Sequence, residues 1–252
     1  MSTRDAPGTL TAQRVLATRW ARYGVSCLRG DTVTDRIRRL PPRRSPALWW
    51  VRLSDLELTG YVAEVAPPGA RVLPGEWDRE QVRERVPIRE PAPADLPRWE
   101  KHETVRLLFV AGHDHRETPE YAAMCHGIEV GEPRKGRGTL QEVERYFVEL
   151  RALYRSMAVD GYRTSVERGQ REIDEARLFV TRDGRLCHGM HGRHRIAIAD
   201  LLGIRWVPMV LFGVHPGWVE QLCGPRTRLP HRALTSWLDQ HDGLRRDHGR
   251  AG

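Results

Sequence analysis

Cys187-His188-Gly189-Met190-His191-Gly192-Arg193-His194-Arg195-Ile196-Ala197-Ile198-Ala199-Asp200-Leu201-Leu202-Gly203 sets two glycines among three histidines and two arginines, then runs into a small apolar segment that ends at a third glycine. The pattern predicts a loop opening onto a helix from about Arg193 to Leu202. The first turn of a helix leaves backbone N–H groups without intrahelical acceptors and carries the positive end of the helix dipole. Flanking cationic and imidazole side chains therefore make this loop a candidate anion site.

The neighbouring sequence gives the loop its setting. Ala176–Val180 is apolar and branched enough for a strand, Arg182-Asp183-Gly184-Arg185 is a hairpin turn, and Leu186 begins the returning strand. After the helix, Trp206–Phe212 reads as another strand. Strand, loop, helix and strand within such a short span make an α/β unit with the loop at a strand's C-terminal end, a placement that favours a ligand site.

Further upstream, Thr139 with Glu142 forms a capping box. The helix it opens carries Val143, Tyr146, Phe147, Leu150, Leu153, Tyr154 and Met157 at helical spacing until Gly161. Thr118 caps a second helix whose first residue is Pro119. A third helix is expected near Trp99–Ala111, where Val105, Leu108 and Phe109 share a face. A strand is expected at Ala47–Leu53, with Trp49 and Trp50 in the core. Residues 9–23 read as a helix, residues 36–46 as a basic, proline-punctuated connector, and Leu234, Trp237 and Leu238 as the stripe of a packing helix.

The chain has 252 residues and a formal charge of +8, which favours anionic partners. The charge has no focus, because acidic residues are interleaved throughout. Arginine supplies nearly all the cations, Lys101 and Lys135 being the only lysines. This composition does not favour nucleic acid as the partner. Cys27, Cys125, Cys187 and Cys223 are widely spread with no C-x-x-C pair, and no run is long and apolar enough to span a membrane, so a cytoplasmic protein with reduced thiols is expected.

The segment from Tyr154 to Trp218 resembles the ParB/sulfiredoxin superfamily, in particular its stand-alone ParB-like members. The resemblance is carried by Leu153-Tyr154-Arg155-Ser156 with Gly161-Tyr162, by Arg182-Asp183-Gly184, and by the box Gly192-Arg193-His194-Arg195-Ile196-Ala197-Ile198-Ala199 with Leu202-Gly203-Ile204. Val207-Pro208 and Val214-His215-Pro216-Gly217-Trp218 complete it. Pro74-Gly75-Glu76-Trp77-Asp78 and Glu117-Thr118-Pro119-Glu120-Tyr121 look like upstream signatures of the same subgroup. The implied fold is α/β (α+β), a ParB/sulfiredoxin-like mixed sheet with flanking helices plus an N-terminal accessory lobe. The expected division is an N-terminal helix and linker at 1–46, the accessory lobe at 47–135, the nucleotide-binding domain at 136–222, and a C-terminal helix and tail at 223–252.

Members of the superfamily place this box around nucleotide phosphates. The resemblance thus implies that Gly192, Arg193, His194 and Arg195 hold the phosphates of ATP, ADP or CTP, and that the chain is a phosphotransferase or nucleotide hydrolase acting on a small hydroxylated compound. Phosphoryl transfer also calls for an oxygen ligand to Mg²⁺ and a base for the acceptor hydroxyl. Glu172 and Asp174 are the candidates for the first, with Glu167 and Glu175 nearby, and His194 for the second.

The chain departs from its relatives in three places. Arg193 stands where sulfiredoxin has its reactive cysteine, so sulfinic-acid repair is not expected. Only about 34 residues follow Trp218, so a partition-type DNA reader is not expected either. His191 occupies the position before the box glycine that is usually Asp in kinase-like relatives, which makes it a further catalytic candidate. It also raises a zinc alternative on Cys187, His188, His191, His194 and His215, although their spacing matches no zinc motif. Two other classes of function compete with the enzyme: a nucleic-acid binder or nuclease, and a non-catalytic nucleotide-sensing module.

Overall fold

The computed structural model describes residues 48–60, 62, 72–171, 174–223, 236–237 and 239–245. The helix expected at 9–23, the connector at 36–46, Glu172, Leu234 and Leu238 lie outside the described residues.

One mixed sheet organises the chain. Its strands are β1 (Leu48–Arg52), β2 (Leu58–Gly60), β3 (Val82–Glu84), β4 (Ala176–Val180), β5 (Leu186–His188), β6 (Trp206–Val214) and β7 (Leu244–Arg245), in the order β3-β2-β5-β4-β6-β1-β7. The helices are α1 (Trp77–Glu80), α2 (Glu100–Arg106), α3 (Pro119–Glu129), α4 (Leu140–Asp160), α5 (Arg193–Leu202) and α6 (Pro216–Cys223).

Alternation along β4 sorts the two faces. Ala176, Leu178 and Val180 join the main core with Val143, Phe147, Leu150, Ile196 and Ile198 from α4 and α5. Phe179 points the other way, into a smaller cluster with Leu58, Val62, Trp77 and Cys187. A strand buried on both faces needs apolar residues at odd and even positions, as Ala-Arg-Leu-Phe-Val nearly supplies.

The helix starts follow the local chemistry. Thr139 and Glu142 form the capping box of α4, and Gly161 ends that helix at φ 74°. The Thr118 side chain accepts from the Tyr121 N–H with Pro119 in the first turn of α3. α2 continues into a π-helical turn, Leu107–Ala111, which Gly112 ends in the left-handed region. In that turn Leu108 is buried and Phe109 stacks on Tyr154 at 4.2 Å.

The expected accessory lobe is not a separate sheet. β1 pairs antiparallel with β6, Val51 opposite Val207, and β2 pairs parallel with β5, Leu58 opposite Cys187. Strands of three to five residues have too little surface to stand alone, so they complete the sheet of the later domain. Residue 135/136 is accordingly no boundary within the sheet. The local unit also differs from a simple parallel crossover: β5 is antiparallel to β4, and it is β4 that lies parallel beside β6.

The upstream signature Pro74–Asp78 docks on the downstream one. Asp78, nearly buried, accepts from the Arg182 backbone N–H at 2.9 Å and from its guanidinium at 2.6 Å. Trp77 packs on Phe179 and on the His215 ring, and the His215 Nε2 lies 2.9 Å from the Gly75 carbonyl. Among the described residues no helix is long and apolar enough to cross a membrane.

Candidate functional site

Gly192 opens α5 in the left-handed region, at φ 76° and ψ 11°. A Cβ there would lie 2.7 Å from the Ala176 Cβ, so the loop approaches β4 more closely than any larger residue allows. Gly192→Ala is expected to cost about 2–3 kcal/mol, from backbone strain and the forced shift of β4. Urea unfolding of the variant checks this, and a loss under 0.5 kcal/mol, on the order of a surface substitution, would show that the close approach is not needed. Gly192, at the N-cap, brings no side chain to cap the helix. The first amides of a helix find no acceptor within the helix itself.

The two box arginines turn inward. Arg193 donates from Nη2 to the Gly60 carbonyl at 2.7 Å, and its guanidinium lies 4.9 Å from the centroid of the Trp99 ring. Arg195 bonds Glu175 through Nη1 at 2.5 Å, reaches Ser165 Oγ at 3.2 Å, and donates from Nη2 to the Asp174 carbonyl at 2.8 Å. Glu175 also accepts from the Ser165 N–H and the Tyr162 hydroxyl. Both forks are therefore engaged as internal struts, binding α5 to β2 and to the segment before β4. The expectation that these forks clasp phosphate finds them occupied by protein.

His194, between them, faces a different group. Its Nε2 lies 2.7 Å from Oε2 of Glu120, a carboxylate 1% exposed at the start of α3. The other oxygen, Oε1, accepts from Lys135 Nζ at 2.8 Å and from the Tyr146 hydroxyl at 2.7 Å. Lys135 Nζ also contacts the Tyr146 hydroxyl directly. Burial alone would raise the carboxyl pKa of Glu120, but the His194 hydrogen bond and the Lys135 charge outweigh it and hold the group well below the usual range. Burial lowers the His194 pKa, although the bond to Glu120 opposes it, so the ring is neutral at pH 7. Its Nε2–H then donates to Glu120, and Nδ1, 3.5 Å from the Tyr146 hydroxyl, carries the lone pair on a side chain still 14% exposed.

Lys101, on α2, lies within electrostatic reach of Lys135, Glu120 and Arg193. Burial, reinforced by the Lys135 charge, lowers its pKa to about 8. Of the only two lysines in an arginine-rich chain, Lys135 pairs with this buried carboxylate and Lys101 feels its charge.

Of the residues expected at the site, the box and His191 come together, with His191 contributing its backbone carbonyl to His188 Nε2 at 2.7 Å. Asp174 is turned to solvent and bonded to Arg171 at 2.9 Å. The zinc candidates do not converge: Cys187 is in the smaller core, His188 bonds His191, His194 bonds Glu120 and His215 bonds Gly75. Among the described residues no group of three or more His, Cys, Asp or Glu could hold a metal ion. His113 and His115 each bond their own carboxylate, Glu117 and Glu144.

Glu120, Tyr146, Lys135 and Lys101 were not among the expected site residues. The signal that could have found the two lysines is their isolation among so many arginines; nothing local marks Glu120 or Tyr146. Lysine's compact, titratable amine is not interchangeable with guanidinium. Comparison of the chain with protein-family models, with curated proteins and with solved structures returned no match.

Proposed function

We propose that this chain is a nucleotide-dependent phosphotransferase or nucleotide hydrolase of the ParB/sulfiredoxin type, acting on a small hydroxylated compound or on water. The observation that carries the reading is the buried Glu120 that holds His194, a residue of the first turn of α5, together with Lys135, with Lys101 in electrostatic reach of the same carboxylate. Helix amides and two ammonium groups suit a phosphate chain, and a carboxylate-oriented neutral imidazole suits proton transfer from a hydroxyl.

In this reading the amides at the start of α5 take the phosphate oxygens, while Lys101 and Lys135 offset their charge. His194 Nδ1 accepts the proton of the attacking hydroxyl as its oxygen bonds the terminal phosphorus and the bond from that phosphorus to the leaving phosphate oxygen breaks. Glu120 steadies the resulting imidazolium, and Tyr146 holds Glu120 in place. Arg193 and Arg195 act as positioning residues. The described carboxylates beside the site do not fit a protein-held Mg²⁺, since Glu120 is engaged by three donors and Asp174 by Arg171, so no step depends on one.

Isothermal calorimetry with ATP, ADP, CTP and GTP tests the proposal. At least one nucleotide is expected to bind the wild type, and Lys101→Met, which breaks no described ion pair, should weaken it about tenfold, near 1.4 kcal/mol. Absence of binding by all four, or an unchanged affinity in Lys101→Met and Lys135→Met alike, would refute it.

A further inference from the structure

A second polar site lies behind the first turn of α5. Thr59 on β2 and His188 on β5 are register partners in the parallel pair. Their sequence neighbours Leu58 and Cys187 belong to the smaller core, so Thr59 and His188 share the face turned to the helices. From α2 the ring of His102 lies nearly parallel to that of His188, at 6° and 6.3 Å between centroids. All three residues are 5% exposed or less.

Thr59 Oγ1, His102 Nε2 and His188 Nδ1 are buried with no hydrogen-bond partner among the described residues. Native interiors seldom leave such groups unmatched. The role of His188 is determined by its other nitrogen. Nε2 bonds the His191 carbonyl, and because a carbonyl only accepts, Nε2 carries the proton. Burial lowers the ring's pKa to about 3, so the ring is neutral and Nδ1 presents a bare lone pair. At their separation the two rings are too far apart for their nitrogens to bond each other.

The chemistry of the trio selects its occupant. No carboxylate completes it, and the charge of Arg193 is close enough to disfavour a cation on either imidazole. The lone pair of His188 Nδ1 disfavours an anion. An uncharged O–H group fits: it donates to Nδ1, and the hydroxyl of Thr59 both donates and accepts.

We propose that Thr59, His102 and His188 form a buried receptor for one uncharged hydroxyl group, supplied by an enclosed water or by a small polyol. The receptor stands independently of what binds at the start of α5. Because His188 also holds the carbonyl of His191, next to Gly192, the bound hydroxyl braces the loop that presents α5.

The test is nitrogen-detected NMR of the full chain labelled with ¹⁵N-histidine, from pH 5 to 8. His188 is expected to remain the neutral Nε2–H tautomer, with Nδ1 at the shift of a hydrogen-bonded acceptor. A slowly exchanging water cross-peak at His188 identifies water, and its displacement by added glycerol identifies a polyol. Thr59→Val, which keeps the side chain's shape, should shorten the occupant's residence at least tenfold. A His188 Nδ1 at the shift of a free acceptor, or a protonated one, overturns the proposal. So does Zn²⁺ retained through dialysis by the wild type and lost from His102→Phe, which would make the pair a metal site.

Discussion

Glu120→Ala is expected to cost about 2–3 kcal/mol of folding stability at neutral pH, because it removes the buried acceptor of three donors at once and leaves the Tyr146 hydroxyl without its partner. The carboxylate is 1% exposed and satisfies Lys135, Tyr146 and His194 together. Without it, the buried Tyr146 hydroxyl is left with only the partly exposed ammonium of Lys135 beside it. Urea unfolding of wild type and variant reads the cost directly. The pH dependence has a definite sign. The folded-state pKa of Glu120 is depressed from its ordinary 4.5, so its stabilisation is fully present above that value and is lost as pH falls below it toward the folded value. The two stability curves should therefore converge in acid. A neutral-pH difference under 1 kcal/mol, on the order of an exposed ion pair, would mean that the cluster is not held together by this carboxylate. The double variant Glu120→Leu, Lys135→Met should recover part of the loss, since leucine refills the buried volume that alanine leaves empty.

His194→Gln is expected to lower nucleotide turnover by about 10²–10⁴-fold, the usual worth of general acid–base catalysis, with little change in nucleotide affinity. Glutamine extends an amide N–H to where His194 Nε2 meets Glu120, so the buried carboxylate keeps a donor. It offers no basic nitrogen where Nδ1 stands. In the wild type the acid limb of the pH–rate profile should lie below the ordinary histidine value of 6.5, because burial lowers the ring's pKa. Steady-state assays across pH 5–8 measure both. Turnover within tenfold of wild type in His194→Gln would remove His194 from the chemistry and leave a binding module.

The contrast between what the sequence announces and what it conceals is instructive at particular residues. α4 and α5 are legible because their information is local. A capping box, a helical period of apolar residues and a terminal glycine specify α4 within its own length. The extent of β4 and the turn after it are legible for the same reason. β1 is legible as a strand, but its pairing is not, nor is β2 at all, because the partners in β6 and β5 lie more than a hundred residues away, and three- to five-residue strands carry no register of their own.

The site divides along the same line. The glycine demanded by the approach of Ala176 and the uncapped amides could be read from the box. Glu120 could not, since Thr118-Pro119-Glu120-Tyr121 is fully accounted for as a helix start. Only the packing of α3 against α4 and α5 reveals a carboxylate sealed beneath His194, 74 residues away. Arg193 and Arg195 mislead in the opposite sense. A cation beside a phosphate-type loop reads as a ligand, but Glu175, Asp174 and Gly60 engage both guanidinium groups from within. A charge pattern gives the number of cations near a site, and burial decides which of them face it.

The measurement that tests the central claim most directly is a crystal structure of the full chain with a non-hydrolysable nucleoside triphosphate. A phosphate oxygen is expected within hydrogen-bond distance of the amides that open α5, with the ammonium groups of Lys101 and Lys135 beside it and His194 Nδ1 facing the terminal phosphorus. Arg195 should remain on Glu175. A phosphate chain bound away from α5, or one clasped by an Arg195 released from Glu175 while both lysines stay remote, would contradict the account.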